Sequence, residues 1–262
     1  MNLNLENKHA LVCGSTQGIG KASAIELATL GATVTLLARN EDSLQQTVNE
    51  LPTPSGQQHK YLCVDFQNPH FLQDKLNSYL DSVQTIHILV NNTGGPAPGP
   101  AHTATLDDFE KAFTMHLKCN QVLVQAVIQG MKVAHYGRII NIISTSVKQP
   151  IPGLGVSNTI RGAVANWSKT LASELGGFGI TVNNVLPGTI KTGRLKAIVQ
   201  SQSQKNNISE EEVQKRMEME IPAGRFGEVE EIASVVAFLA SPSAAYVNGI
   251  NVPVDGGRTK SL

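Results

Sequence analysis

His9-Ala10-Leu11-Val12-Cys13-Gly14-Ser15-Thr16-Gln17-Gly18-Ile19-Gly20 is the stretch on which the fold turns. Its first five residues are mainly apolar and suit a short buried strand, and Gly14 opens a turn of small residues. From Ile19 onward apolar residues recur at helical spacing (Ile19, Ala22, Ile25, Ala28) until Gly31 closes the segment. A strand, a glycine turn and a helix in that order bring the unpaired N–H groups of the helix start against the turn. Small side chains there let an anion approach closely. The spacing is G-x-x-x-G-x-G where the commoner fingerprint is G-x-G-x-x-G, but the same logic makes the turn a candidate pyrophosphate cradle. The turn lacks the Lys followed directly by Ser or Thr that a P-loop requires.

Working outward, Thr33–Leu37 predicts a second strand, Glu41–Leu51 a helix and Tyr61–Val64 a third strand ending at Asp65. Ile86–Val90 predicts a fourth strand, closed by Asn91-Asn92-Thr93-Gly94-Gly95. Leu106–Phe113, Asn120–Val133, Thr159–Leu175 and Glu228–Leu239 have helical patterns, while Arg138–Ile143, Ile180–Leu186 and Gly249–Val254 read as strands. Short apolar strands alternating with longer helices predict an α/β fold, a parallel sheet covered on both faces. Near Thr192 the composition changes. Gln200–Asn207 is polar and glutamine-rich, and Ser209 with Glu212 opens a charged helical stretch to Glu220. No repeat or boundary interrupts the chain, so 1–262 reads as a single domain. Residues 191–222 read as a mobile, lid-like insertion over the carboxyl edge of the sheet, where open α/β sheets bind ligands.

The chain has 262 residues, with 21 Lys+Arg balanced by 21 Asp+Glu. That balance argues against a nucleic-acid-binding or membrane-surface protein. Met1–Lys8 is polar and lacks a signal-peptide core, and no apolar run is long enough for a membrane span. The expected location is the cytoplasm. Cys13, Cys63 and Cys119 are scattered among apolar neighbours; they fit neither a disulfide framework nor a zinc site, and no metal is expected.

After Leu37 the chain reads Ala38-Arg39-Asn40. A carboxylate at this point would bond the ribose hydroxyls of NAD. Ala38 leaves that role empty and Arg39 suits a 2′-phosphate, so NADP(H) is preferred, with NAD(H) as the alternative. Asp65 either accepts from an adenine amino group or serves as a turn aspartate.

The glycine turn, Asp65, Asn91-Asn92-Thr93-Gly94, Ser144, Pro187-Gly188 and Pro253-Val254-Asp255-Gly256-Gly257 together resemble the short-chain dehydrogenase/reductase family. The likeness covers residues 8–257 and is strongest to the branch containing β-ketoacyl-acyl-carrier-protein reductases. It implies a Rossmann-like three-layer α/β/α sandwich with a seven-stranded parallel sheet, assembled as a homotetramer. It also implies a nicotinamide cofactor and a small-molecule carbonyl or alcohol substrate, acyl-thioester-linked in that branch. The cofactor set expected is Gly14, Ser15, Thr16, Gln17, Gly18, Ile19 and Gly20; Arg39 and Asn40; Asp65 and Phe66; Asn91, Thr93 and Gly94; Arg161; and Pro187, Gly188, Ile190 and Thr192. Thr93 departs from the family's usual Ala, and Gly94-Gly95-Pro96 is also less usual. By the same resemblance, Pro96–Pro100, Pro150–Pro152 and Gly193–Met219 frame the substrate pocket.

Enzymes of this family use an Asn, a Ser, a Tyr and, four residues after the Tyr, a Lys. Ser144 stands in the Ser position. Where Tyr belongs this chain has Ser157, where Lys belongs it has Arg161, and where Asn belongs it has His116. Lys169-Thr170-Leu171-Ala172 and Ile180-Thr181-Val182-Asn183 keep the register downstream, and neither Tyr136 nor Lys148 has the required spacing. A tyrosine works because its phenol, near pKa ~10, is lowered by a neighbouring cation. Serine is a far weaker acid. Arg161 stays charged and suits the ribose hydroxyls and a developing oxyanion. His116, titrating near ~6.5, is expected to supply the proton through Ser157 or water. The expectation is therefore an NADP(H)-preferring oxidoreductase acting on a carbonyl/alcohol pair through Ser144, Ser157, Arg161 and His116. The alternative is a catalytically impaired structural or regulatory protein that still binds the nucleotide. A hydrolase reading of Ser144, Ser157 and His116 lacks a carboxylate assigned to orient the histidine.

Overall fold

Seven strands form one sheet in the order β3-β2-β1-β4-β5-β6-β7, and every neighbouring pair is parallel. They are β1 (His9–Cys13), β2 (Thr33–Ala38), β3 (Lys60–Cys63), β4 (Ile88–Asn91), β5 (Gly137–Ile142), β6 (Ile180–Pro187) and β7 (Asn251–Val254). The computed structural model describes residues 1–83 and 85–261. The helices are α1 (Gly18–Thr29), α2 (Glu41–Glu50), α3 (Pro69–Leu80), α4 (Leu106–Phe113), α5 (Cys119–Ala134), α6 (Gly155–Leu175), α7 (Gly193–Asn206), α8 (Glu210–Met219) and α9 (Val229–Ala240).

Alternation along each strand builds the two cores. Val12, Val34, Leu36, Ile88, Val90 and Ile140 point to one face and pack with Ala24 and Leu27 of α1, Leu44 of α2 and Ile232 and Val236 of α9. Leu11, Leu37, Leu89, Ile139 and Val182 point to the other and pack with Leu72 and Leu76 of α3, Leu123 and Val127 of α5 and Leu175 of α6. A strand buried on both faces needs apolar side chains at successive positions, which explains runs such as Ile139-Ile140. Pro253 is tolerated because β7 is an edge strand. Among the described residues, no helix is long and apolar enough to cross a membrane.

The elements differ from the sequence reading in four main places, the first being α3 over Pro69–Leu80, which that reading did not include. Helix α6 begins at Gly155, ahead of the expected Thr159. Segment 191–222 contains α7 and α8 around a small core of its own, with Leu195, Val199, Val213, Ile221 and Phe226 buried together. Finally, α4 and α5 are joined by a π-turn over Thr114–Lys118, a local widening of the helix that often marks a functional position.

The foot of the sheet, opposite the glycine turn, holds two histidines tied into the strands by hydrogen bonds. His87 Nδ1 accepts from the His9 backbone N–H at 3.1 Å, and His9 Nε2 bonds Thr35 Oγ1 at 2.8 Å. Burial lowers both His9 and His87 from 6.5 to about 4; His87, Lys60 and His59 add to the effect at His9, and Lys8 does so at His87. The folded state therefore holds both rings neutral, whereas an unfolded chain protonates them near ~6.5. Their contribution to stability is complete above that value and is lost as pH falls towards 4, with a total effect on the order of a few kcal/mol. The midpoint of thermal unfolding should drop between pH 7 and pH 4.5, and H87N, which keeps an acceptor but cannot titrate, should flatten that slope. Equal slopes in the two proteins would contradict this assignment.

Candidate active site

The sheet reverses its order of winding at β1, whose neighbours are β2 and β4, and this switch point opens a crevice at the carboxyl ends of the strands. Gly14 enters the turn with φ +57°, and a Cβ there would lie 2.2 Å from the Asn92 carbonyl oxygen. A Cβ on Gly20 would lie 2.2 Å from the Gly14 carbonyl oxygen, so the first turn of α1 sits directly against the loop. Gln17 caps α1 without a side-chain hydrogen bond, and the first turn has no acidic residue. The N–H groups of that helix end thus remain for a ligand, and the cradle fits a pyrophosphate. Ser15 is buried with its hydroxyl on the Leu37 carbonyl, while Thr16, Gln17, Gly18 and Ile19 line the more exposed rim. Thr192, capping α7, places its methyl 3.4 Å from where a Gly18 Cβ would be, so the start of the 191–222 segment meets the glycine turn.

The adenine end is only partly as expected. Arg39 is exposed and makes no ion pair among the described residues. The Asn40 side-chain oxygen instead accepts from Ser43 N, capping α2. Asp65 Oδ1 accepts from Gln67 N, filling the turn role. The Phe66 ring belongs to the core, and its carbonyl accepts from Cys119 Sγ. Asn91 also turns inward. Its Nδ2 donates to Asn141 Oδ1, Asn141 Nδ2 donates to Asn184 Oδ1, and Asn184 Nδ2 donates to Asn251 Oδ1. These four amides occupy paired positions on β4, β5, β6 and β7 and form a polar row across the sheet. Pro187 and Gly188 follow β6, and a Cβ on Gly188 would strike Asp255 Cα at 2.6 Å. Ile190 is buried and bridges to Gly227.

The four catalytic candidates come from β5, α6 and the π-turn. Ser144 follows β5, and its Oγ accepts from Ser146 N at 3.1 Å, leaving its own proton for a ligand. Ser157 and Arg161 lie one turn apart on α6, and both are buried. Arg161 donates from Nη1 to the Ile142 carbonyl at 3.1 Å and from Nη2 to the Thr93 carbonyl at 3.3 Å, tying together the chain after β4 and the end of β5. Burial, followed by repulsion from Arg194, lowers its guanidinium to about 10, which still leaves it cationic at neutral pH.

His116 requires a correction. It is 1 % exposed, its Nδ1 bonds Thr93 Oγ1 at 2.6 Å, and its Nε2 has no partner among the described residues. Burial, then Arg161 and Arg194, push the imidazole down to about 2. It is neutral throughout the physiological range, so the expected titrating donor near ~6.5 is absent. No hydrogen bond joins Ser157 to His116 among the described residues; Thr93 takes the place expected of Ser157.

Sequence reasoning missed Arg194. Its Nη2 donates to the Pro96 carbonyl at 3.2 Å, and a Cβ on Gly95 would lie 2.3 Å from its Nη1. The doubled glycine was the available signal, since the second glycine leaves room for the guanidinium. Beside His116 a cavity of about 320 Å³ is walled by Pro98, Pro100, Met115 and Val156, with Asp108 and Lys111 also lining it. Pro96–Pro100 frame this space as expected, whereas Pro150–Pro152 and Gly193–Met219 do not line it.

Comparison with known proteins agrees with this architecture. The model of the family described as Enoyl-(Acyl carrier protein) reductase matches residues 14–259. The 3-oxoacyl-[acyl-carrier-protein] reductase FabG of Vibrio cholerae is 34% identical over 255 residues, covering 97% of this chain and 98% of the relative. The NADPH-dependent reductase BacG of Bacillus subtilis is 29% identical, covering 98% of this chain and 100% of the relative. The structure of L-sorbose reductase from Gluconobacter frateurii complexed with NADPH and L-sorbose has a TM-score of 0.94 at 29% identity, covering 100% of both chains.

Proposed function

This chain belongs to the short-chain dehydrogenase/reductase family, and we propose that it acts as an NADP(H)-preferring oxidoreductase on a carbonyl/alcohol pair. The observation that carries the reading is the uncapped start of α1 held against Gly14 at the switch point of the sheet. The NADPH named for BacG and for L-sorbose reductase, together with exposed Arg39 after β2, supports the cofactor preference. Glycine-turn backbone N–H groups would hold the pyrophosphate, Arg39 the 2′-phosphate, and Pro187, Gly188 and Thr192 the nicotinamide end.

When bound, the nicotinamide supplies a hydride to the carbonyl carbon. The chain's own part is to hold the carbonyl and stabilise charge at its oxygen. Ser144 donates its hydroxyl proton in a hydrogen bond to that oxygen. Arg161 has N–H groups beyond the two given to carbonyls, and its fixed positive charge opposes the developing alkoxide. His116, with Thr93 donating to Nδ1, carries its proton on the unpartnered Nε2 and acts as a neutral donor. Ser157 leaves room for the water that delivers the final proton. Electrostatic stabilisation thus replaces the phenol and ammonium usual in the family.

We extend the proposal to a single nucleotide-binding domain, with 191–222 closing over the crevice, in a homotetramer to which exposed Leu106, Tyr246 and Ile250 offer apolar surface. Three free cysteines fit a reducing, cytoplasmic setting.

Fluorescence titration with NADPH and NADH tests the cofactor reading. NADPH should bind at least about tenfold more tightly, and R39A should remove most of the difference by deleting a charge-assisted contact. Equal binding of the two nucleotides by the natural chain would overturn the preference. Substitution of both Tyr and Lys also supports the impaired-protein reading, which predicts tight NADPH binding with no turnover of any carbonyl.

A further inference from the structure

We infer that the substrate is an oxo acid whose carboxylate is bound by Arg161, with Arg194 closing over it. The inference rests on the reductase reading and specifies its substrate class. Arg161 is a buried cation whose hydrogen bonds, among the described residues, run only to the main-chain carbonyls of Ile142 and Thr93. The ion pairs among the described residues all lie elsewhere: Lys21–Glu50, Lys191–Glu228, Arg216–Glu212, Arg225–Glu231 and Arg258–Glu220. A buried charge with neutral partners alone is costly, and an anion arriving with the substrate offsets that cost.

A second guanidinium converges on the same segment. Arg194 bonds the Pro96 carbonyl, so the two arginines hold Thr93–Pro96 from α6 and from α7. They repel each other, and both act on His116, whose Nε2 is buried, unpartnered and part of a residue lining the cavity. The acid lining that cavity is already engaged. Asp108 Oδ2 accepts from both N and Oγ1 of Thr105 at the start of α4, and Lys111 stands close enough to favour its charged form. The chain as a whole has zero net charge, so this excess of positive charge is local. An oxidised nicotinamide ring would add another positive charge, which an anionic substrate also offsets.

The chemistry balances without a further reagent. Hydride forms the new C–H bond at the carbonyl carbon, and the C=O π pair moves to oxygen and takes a proton from water. The nicotinamide is oxidised, the oxo acid becomes a hydroxy acid, and the carboxylate is unchanged. Arg161 lies between the two oxygen sites, holding the carboxylate together with Arg194 and facing the developing charge on the reacting oxygen together with Ser144 and His116 Nε2, and the apolar wall of Pro98, Met115 and Val156 accepts the remaining chain.

The test uses the full-length protein with NADPH and a series of straight-chain 2-, 3- and 4-oxo acids, their methyl esters and dihydroxyacetone phosphate. At least one acid should exceed its ester in kcat/KM by about tenfold or more, the scale of one charge-assisted bidentate contact. R194Q should reduce that acid-to-ester ratio at least fivefold. Equal rates for acids and esters, a ratio that R194Q leaves unmoved, or a preference for the phosphate over every acid would overturn the inference. If nothing is turned over, the reductase reading fails, and calorimetry on the NADPH complex still decides the anion site. Binding of the acids but not the esters would support it, and no difference between them would overturn it.

Discussion

G20V should bind NADPH at least a hundredfold more weakly than the natural chain. The Cβ alone would stand 2.2 Å from the Gly14 carbonyl oxygen, 2.6 Å from Asn92 Nδ2 and 2.8 Å from the Gly14 carbonyl carbon, and two of those three atoms are backbone. No side-chain rotation relieves such a contact, so the first turn of α1 has to move away from the loop. That movement withdraws the N–H groups that would receive the pyrophosphate. It also disturbs α1 against β1 and α9, and the melting temperature should fall. Far-ultraviolet circular dichroism identifies the temperature range in which G20V remains folded, and nucleotide binding is compared there. Binding within threefold of the natural chain would show that the pyrophosphate lies somewhere else.

R161Q should lower kcat by about 10²–10³-fold, equivalent to ~3–4 kcal/mol, the range found when one preorganised donor to a developing oxyanion is removed. NADPH binding should fall far less than turnover, because Arg161 bonds the Thr93 and Ile142 carbonyls and makes no contact with the α1 N–H groups that would receive the pyrophosphate. Glutamine retains a donor for one of those carbonyls and tests the charge more than the scaffold. R161K should recover part of the loss, since an ammonium restores the charge without the planar fork. A variant that loses NADPH binding and turnover in parallel would instead make Arg161 a cofactor-holding residue. Undiminished turnover in R161Q would remove it from the chemistry altogether.

What was legible in the chain follows from how each feature is stabilised. Runs such as Ile139-Ile140-Asn141-Ile142 declare a strand because a parallel strand is buried on both faces, and the glycine turn declares itself because α1 leaves no space for a Cβ. Helix α7 is harder to read because it buries only Leu195 and Val199, and its remaining pattern resembles a solvated loop. The π-turn is hidden because its extra residue lies within otherwise ordinary helical spacing. At the site, residue types and positions were legible, but their state was not. His116 reads as a proton donor until burial and two arginines make it neutral. Arg194 reaches Pro96 across a long stretch of chain, and no local spacing encodes that contact. Asn91 likewise reads as a crevice residue, yet its amide is committed to Asn141 by the register of β4 and β5.

The most direct test is a single-turnover reaction with NADPH carrying deuterium at the transferred position, enzyme in excess, and a panel of carbonyl compounds. A working centre built on Ser144, Arg161 and neutral His116 predicts one equivalent of deuterium on the carbinol carbon of the product, with the rate strongly reduced in R161Q. Tightly bound NADPH that returns its label unspent to every compound would contradict it.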